Sequence, residues 1–253
     1  MIEIKELTAG YGKKEILHNV SAVFENKKII SVIGANGSGK STLMQCCAGL
    51  IKHWGGDVII NGKSISEYKS KELAAAVAYL PQINNASAIK VKNLVMHGRF
   101  PYLGYPRHYS KADLEIAENA MKTVGIEDIA EKNVGELSGG QQQKVHIAMR
   151  LAQDTEYIIL DEPATYLDIK YQLELYDLME RLREQGKTIV TVMHDINAAL
   201  YHSDKVLVMS EGRVLMSSSP EAIAESGVIE KVFGVKLMKS ECGQYLFERE
   251  DVQ

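Results

Sequence analysis

The stretch Gly34-Ala35-Asn36-Gly37-Ser38-Gly39-Lys40-Ser41-Thr42 constrains this chain more than any other. It fits G-x-x-x-x-G-K-[ST], a loop that cradles phosphates, and it has the flanks such a loop needs. The apolar run Ile29-Ile30-Ser31-Val32-Ile33 before it reads as a buried strand, and Leu43 to Leu50 after it reads as a helix. Glycines let backbone N–H groups turn inward without Cβ clashes, which makes a concave nest for anionic oxygens. The helix N-terminus adds its dipole at the same place. Lys40 can reach β- and γ-phosphates, and the Ser41 hydroxyl can ligate Mg²⁺. A plain glycine turn would require neither group. The stretch Asn36, Gly37, Ser38, Gly39, Lys40, Ser41 and Thr42 is therefore expected to bind a nucleotide.

A chain of 253 residues with 45% hydrophobic content can bury a large α/β core. Its net charge of −4 gives no general pull towards nucleic acid. No apolar run approaches bilayer length and no signal peptide precedes Met1-Ile2-Glu3-Ile4, which predicts a soluble, cytosolic protein. Cys46, Cys47 and Cys242 lack zinc spacing, and the adjacent pair reads as small core residues in a reducing compartment.

Along the chain, Ile2–Leu7 alternates like an edge strand and Thr8–Gly12 reads as a turn, with further strands at Ile16–Phe24, Val58–Ile60 and Val77–Leu80. From Ile83 to Gln153 the period becomes helical, clearest in Lys111–Val124 and Gln141–Ala152, with Ser110 and Asp113 placed as a capping box. Tyr157–Asp161 and Thr188–His194 read as parallel strands buried on both faces. Lys205–Met209 and Arg213–Met216 flank Ser210-Glu211-Gly212 as a hairpin, and Ser219-Pro220 opens a last helix.

Two more stretches carry chemistry. Ile158-Ile159-Leu160-Asp161-Glu162 is an apolar strand ending in two acids, at the sheet edge where α/β folds bind ligands. Asp161 is placed to hold Mg²⁺ and Glu162 to polarise a water attacking a γ-phosphate. In Leu137-Ser138-Gly139-Gly140-Gln141, Ser138 can cap the next helix while two glycines leave N–H groups beside its positive end. That is a second phosphate-binding surface, which one chain would rarely need for one nucleotide.

With these motifs in this order, the chain resembles the nucleotide-binding subunits of ABC transporters over nearly its whole length. The resemblance places Tyr11 against adenine and Gln82, in Tyr79-Leu80-Pro81-Gln82, as a sensor of Mg²⁺ and γ-phosphate. It likewise matches Asp168 to the D-loop and His194 to the switch histidine that contacts the γ-phosphate. Catalysis would then fall to Glu162, His194, Gln82 and Asp168, and Mg²⁺ binding to Ser41, Gln82 and Asp161. Ser138, Gly139, Gly140 and Gln141 would contact ATP held by a second copy in a head-to-tail dimer. The fold implied is α/β, a P-loop NTPase core of ABC ATPase type with an antiparallel β subdomain and an inserted α-helical subdomain. Its expected boundaries are 1–82 for the first part of the ATP-binding core, 83–153 for the helical subdomain and 154–253 for the rest of the core. Gln142, Lys144, Ala164 and Asn26-Lys27 depart from the family pattern, the last by lacking a glycine before the central strand; none removes a catalytic group.

His97-Gly98-Arg99-Phe100-Pro101-Tyr102-Leu103-Gly104 and His194-Asp195-Ile196-Asn197-Ala198-Ala199 resemble the importer branch for iron-siderophores, haem and cobalamin. This implies an ATP- and Mg²⁺-dependent subunit on the cytoplasmic face of the membrane, paired with permease subunits and indirectly with a substrate-binding protein. No nucleic-acid partner is expected. A soluble ABC ATPase of iron–sulfur cluster assembly is the alternative that the same motifs allow. The aromatics Phe100, Tyr102 and Tyr105, among Pro101 and Pro106, either help to line a docking groove or pack beneath the helical subdomain.

Overall fold

The structure is a computed structural model and describes residues 1–81, 88–165, 167–240 and 245–249. The chain opens with β1 (Ile2–Tyr11), β2 (Lys14–Phe24), β3 (Ile29–Gly34), α1 (Lys40–Cys47), β4 (Gly55–Ile60) and β5 (Lys63–Ser64). It continues through α2 (Ser70–Ala76), β6 (Val77–Leu80), α3 (Val91–Met96), α4 (Lys111–Val124), α5 (Gly139–Ala152), β7 (Tyr157–Asp161) and α6 (Ile169–Glu184). After β8 (Thr188–Val192) and α7 (Ile196–His202) come β9 (Lys205–Ser210), β10 (Arg213–Ser218), α8 (Pro220–Glu225), α9 (Val228–Phe233), β11 (Val235–Lys239) and β12 (Tyr245–Arg249). Two compact units result: Met1–Glu67 with Thr188–Gln253, and Tyr68–Lys187.

In the first unit, β1 pairs antiparallel with β2 on one side and β4 on the other, so it is an internal strand and not the edge its alternation suggests. It also runs on to Tyr11, and the turn falls at Gly12 and Lys13. The reason is a bulge. Glu6 has φ of 48°, and the pairing with β2 shifts register between Ile4 and Leu7 and again before Ala9. An extra residue resets the period of two, so Leu7 and Ala9 return to the core although the sequence no longer alternates.

The other sheet of this unit sets β3 between β8 and β9, parallel to both, with β10 folding back antiparallel on β9. Every residue of β3 and β8 is buried, as continuous Ile/Val runs in a parallel sheet require. The turn into β3 passes through Lys27 at φ of 58°, where the family resemblance looks for glycine. Lys27→Gly is therefore expected to stabilise the protein by about 0.5–1 kcal/mol, net of glycine's greater freedom when unfolded. A thermal midpoint higher by about 2 °C would register it, and an unchanged or lower midpoint would refute it.

Beyond β10, Ser219 caps α8 with Pro220 at its first position. The single last helix expected there is in fact two, α8 and α9, with Gly227 at φ of 73° breaking the helix between them. The antiparallel hairpin β11–β12 then follows.

In the second unit, β6 and β7 run parallel, in register from Val77 opposite Tyr157 to Leu80 opposite Leu160. Helices α3, α4 and α5 pack on one another. Ser110 and Asp113 form the expected reciprocal cap of α4. Asp113 also accepts from Arg99 Nε at 2.8 Å, while Arg99 Nη1 donates to the Ala152 carbonyl at 2.9 Å. Hydrogen bonds from Ser110, and then Arg99, hold the Asp113 carboxyl below its ordinary pKa. The Tyr102 hydroxyl donates to Gln153 O at 2.8 Å, and Arg99 lies 4.0 Å from the Tyr102 ring centre. The 3₁₀ turn His97–Tyr102 thus closes the C-terminal end of α5, satisfying carbonyls that a helix leaves open and adding a cation where the dipole favours one.

The aromatics of this stretch differ in burial: packing within the subdomain accounts for Tyr102, while a docking role for the exposed rings stays an expectation. Tyr102 is tied inward and Leu103 is buried, Phe100 stacks on His97 and Tyr109 at the surface, and Tyr105 is 99% exposed. On α5 itself both ring nitrogens of His146 are buried without a hydrogen-bond partner. Burial, with Arg150 adding to it, pushes the His146 pKa down to about 4, so this imidazole is neutral near pH 7. No helix among the described residues is long and apolar enough to cross a membrane.

Candidate nucleotide-binding site

In the first unit, β3 delivers the loop at the carboxyl end of its sheet. Ser38 N donates to Ala35 O at 3.1 Å, and Gly39, at φ of 98°, turns the chain into α1. No side chain caps this helix and no acid lies in its first turn, so its positive end is not neutralised locally. Lys40 is buried and donates from Nζ to Gly34 O at 2.8 Å and Ala35 O at 3.0 Å, which holds the ammonium at the mouth of the loop. Ser38 Oγ is buried without a partner. An orphaned hydroxyl beside a buried cation and an uncapped helix end fits a phosphate oxygen. Ser41 is half-buried and Thr42 buried in the first turn of α1, while Asn36 and Gly37 are exposed at the tip.

Two other candidates belong to this unit. The Tyr11 ring is half exposed, and its hydroxyl donates to Gln45 Oε1 at 3.1 Å, anchoring it to α1. Because Val32 of β3 pairs with Val192 of β8, His194 leaves its strand level with Gly34. His194 is exposed there, next to Asp195, whose carboxylate caps α7 through Ala198 N at 3.1 Å. This is the sheet edge at which α/β folds bind ligands.

The second unit carries the acids and the glycine-rich helix start. Asp161 is buried at the end of β7, and Tyr79 of β6 donates to its Oδ2 at 2.9 Å. Glu162 follows at φ of 53°, a conformation that a non-glycine residue adopts only under constraint. Thr165 supplies part of that constraint, from its N–H to Glu162 O at 3.3 Å and from Oγ1 to Oε2 at 3.4 Å. Asp168 is exposed and caps α6 by accepting from Tyr171 N at 3.0 Å. Gln82 lies outside the described residues.

Ser138 caps α5 with Gln141 as its reciprocal partner, Gln141 N to Ser138 Oγ at 3.4 Å and Ser138 N to Gln141 Oε1 at 3.2 Å. The two glycines differ. A Cβ on Gly139 would meet nothing within 4 Å, whereas one on Gly140 would press on the Tyr171 ring at 3.0 Å. Packing within the chain therefore explains Gly140 but not Gly139. Gly139→Ala is expected to leave the thermal midpoint unchanged or raised, because alanine favours the helix by up to about 1 kcal/mol, while ATP turnover falls. Gly140→Ala is expected to lose stability as well. Loss of both properties in Gly139→Ala would assign that glycine to folding instead.

Sequence reasoning missed four supporting residues: Tyr79, Thr165, Gln143 and Tyr171. Gln143 Nε2 donates to Pro163 O at 2.9 Å, which ties α5 to the loop just after Glu162. Lys144 pairs with Glu174 at 2.7 Å and lies 5.0 Å from the Tyr171 ring centre. The Tyr79, Gln143 and Tyr171 contacts join residues far apart in sequence, which local patterns do not register. Only Thr165, three residues from Glu162, could have been found as a short-range hydroxyl partner.

This fold and these motifs define an ATP-hydrolysing cassette, and the chain belongs to the ABC transporter family, whose pattern it matches over residues 17–165. It is 40% identical to the petrobactin import ATP-binding protein YclP of Bacillus subtilis, over 94% of each chain. It is 39% identical to the achromobactin transport ATP-binding protein CbrD of Dickeya dadantii, over 92% of this chain and 88% of that one. Among solved structures it is similar to a dimeric bacterial ABC transporter cassette, at 30% identity and a TM-score of 0.76, over 87% of this chain and 99% of that one.

Proposed function

We propose that this chain is the ATPase subunit that powers import of an iron chelate of the siderophore class. The observation that carries the reading is the match to a petrobactin import ATP-binding protein over 94% of both lengths, which leaves little of either chain for a different task. Two copies pair head to tail, each supplying the loop Asn36–Thr42 to one ATP and Ser138–Gln141 to the other. Tyr11 stacks on the adenine. Lys40 and the uncapped end of α1 neutralise the β- and γ-phosphates. Glu162 polarises the attacking water, His194 and Gln82 contact the γ-phosphate, and Asp168 joins the two halves of the composite site. Ser41, Gln82 and Asp161 would hold Mg²⁺, which would supply charge neutralisation for phosphoryl transfer. Ser41 and Asp161 offer the hydroxyl and carboxylate oxygens that a hard cation takes. Permease subunits dock each copy to the cytoplasmic face of the membrane, and a substrate-binding protein delivers the chelate to them.

The test is uptake of radiolabelled ferric siderophore by cells that lack this chain and then regain it as wild type or as Lys40→Ala. Uptake restored by wild type alone supports the reading. Uptake indifferent to the chain, with purification alongside a soluble cluster-assembly scaffold, would replace it with the iron–sulfur alternative.

A further inference from the structure

Resting on the assignment of Asp161 to Mg²⁺, we infer that the Tyr79 hydroxyl is a positioning group that sets how strongly this chain engages the metal–nucleotide pair. Register makes the contact. Tyr79 of β6 is directly opposite Ile159 of β7, and Asp161 is two residues beyond Ile159, so the three side chains share one face of the strand pair. Two residues along a strand is about 7 Å, the span that a tyrosine ring bridges to bring its hydroxyl to a carboxylate. The hydroxyl reaches Asp161 Oδ2 at 2.9 Å.

The chemistry of the donor matters as much as its position. Asp161 is only 4% exposed, so bulk water does little to orient its carboxylate. A lysine in place of Tyr79 would also fix the rotamer but would cancel the charge that attracts a cation. A phenol donates one hydrogen bond and adds no positive charge beside the acid, which is the usual job of an outer partner to a metal-binding carboxylate.

The experiment is a titration of the purified full chain with a fluorescent ATP analogue, in EDTA and over a series of Mg²⁺ concentrations. Tyr79→Phe, which deletes one oxygen, is expected to raise the Mg²⁺ concentration at half-maximal binding by about tenfold. Affinity in EDTA should change by less than about twofold, and kcat at saturating Mg²⁺ should recover most of its wild-type value. Tyr79→Met also lacks the hydroxyl and should shift the Mg²⁺ midpoint alike, which covers the case of one variant folding poorly. An unshifted midpoint in the folded variants, or an equal loss of affinity in EDTA, overturns the inference. Asp161→Asn separates the two levels. If it shifts the Mg²⁺ midpoint and the Tyr79 variants do not, only the role of Tyr79 falls; if it too has no effect, Asp161 is not at the metal.

Discussion

Glu162→Gln is expected to stop ATP turnover while leaving ATP binding intact. A side chain that activates a water contributes about 10²- to 10⁴-fold to rate, so kcat should fall at least about 100-fold. Glutamine keeps the size of the side chain and an oxygen that can accept from Thr165 Oγ1, which now lies 3.4 Å from Glu162 Oε2. The left-handed backbone at residue 162 is held by its neighbours and survives the change. If two copies share the site as proposed, gel filtration with ATP should then show a persisting dimer, because bound ATP is no longer consumed. Turnover close to wild type would take Glu162 out of the catalytic role and leave its strained backbone without a functional reason.

Ser138→Arg should be as severe by a different route. Losing the cap costs about 1 kcal/mol, too little to unfold a domain of ordinary stability. The new side chain projects from an exposed position over the open face at Gly139, so turnover should fall about 100-fold or more if that face stabilises a phosphate. Binding of ATP to the same chain's own loop should persist. The decisive measurement mixes this variant with Lys40→Ala. In a head-to-tail pair both lesions fall in one composite site and the other is intact, so an equal mixture should recover about a quarter of wild-type turnover. No recovery, or normal hydrolysis by Ser138→Arg alone, would exclude a site shared between two chains.

The elements that the sequence made legible are those whose signals are local. The apolar runs of β3, β7 and β8 are buried throughout; β3 and β7 lie where their apolar stretches put them, and β8 ends at Val192, two residues before the expected His194. The caps at Ser110, Ser138 and Ser219 are set by residues three positions apart, and all three are present. What was not legible depends on pairing. The bulge at Glu6 hides the second half of β1, because alternation cannot be read across an inserted residue. The hydrogen bond from Tyr79 to Asp161 crosses 82 residues and that from Gln143 to Pro163 crosses 20, and nothing in either neighbourhood announces them. The motifs are thus local patterns that the sequence carries, whereas of the groups packed against them only Thr165 lies near enough in sequence to be found in the same way.

The closure of α5 by Arg99 and Tyr102 has a mechanical consequence. A free helix end frays, and a frayed end absorbs a push instead of passing it on. Here the Ala152 carbonyl is held by a guanidinium that is itself locked to Asp113, the Gln153 carbonyl is held by the Tyr102 hydroxyl, and the Gln153 side-chain amide donates in turn to the carbonyl of Val77 at 3.1 Å. Fourteen residues of helix make a strut about 21 Å long, with Ser138 and Gly139 at one end and the His97–Tyr102 turn at the other. A force applied beside Phe100 would therefore reach the glycine end as displacement of a rigid lever, with no slack in the joint to dissipate it.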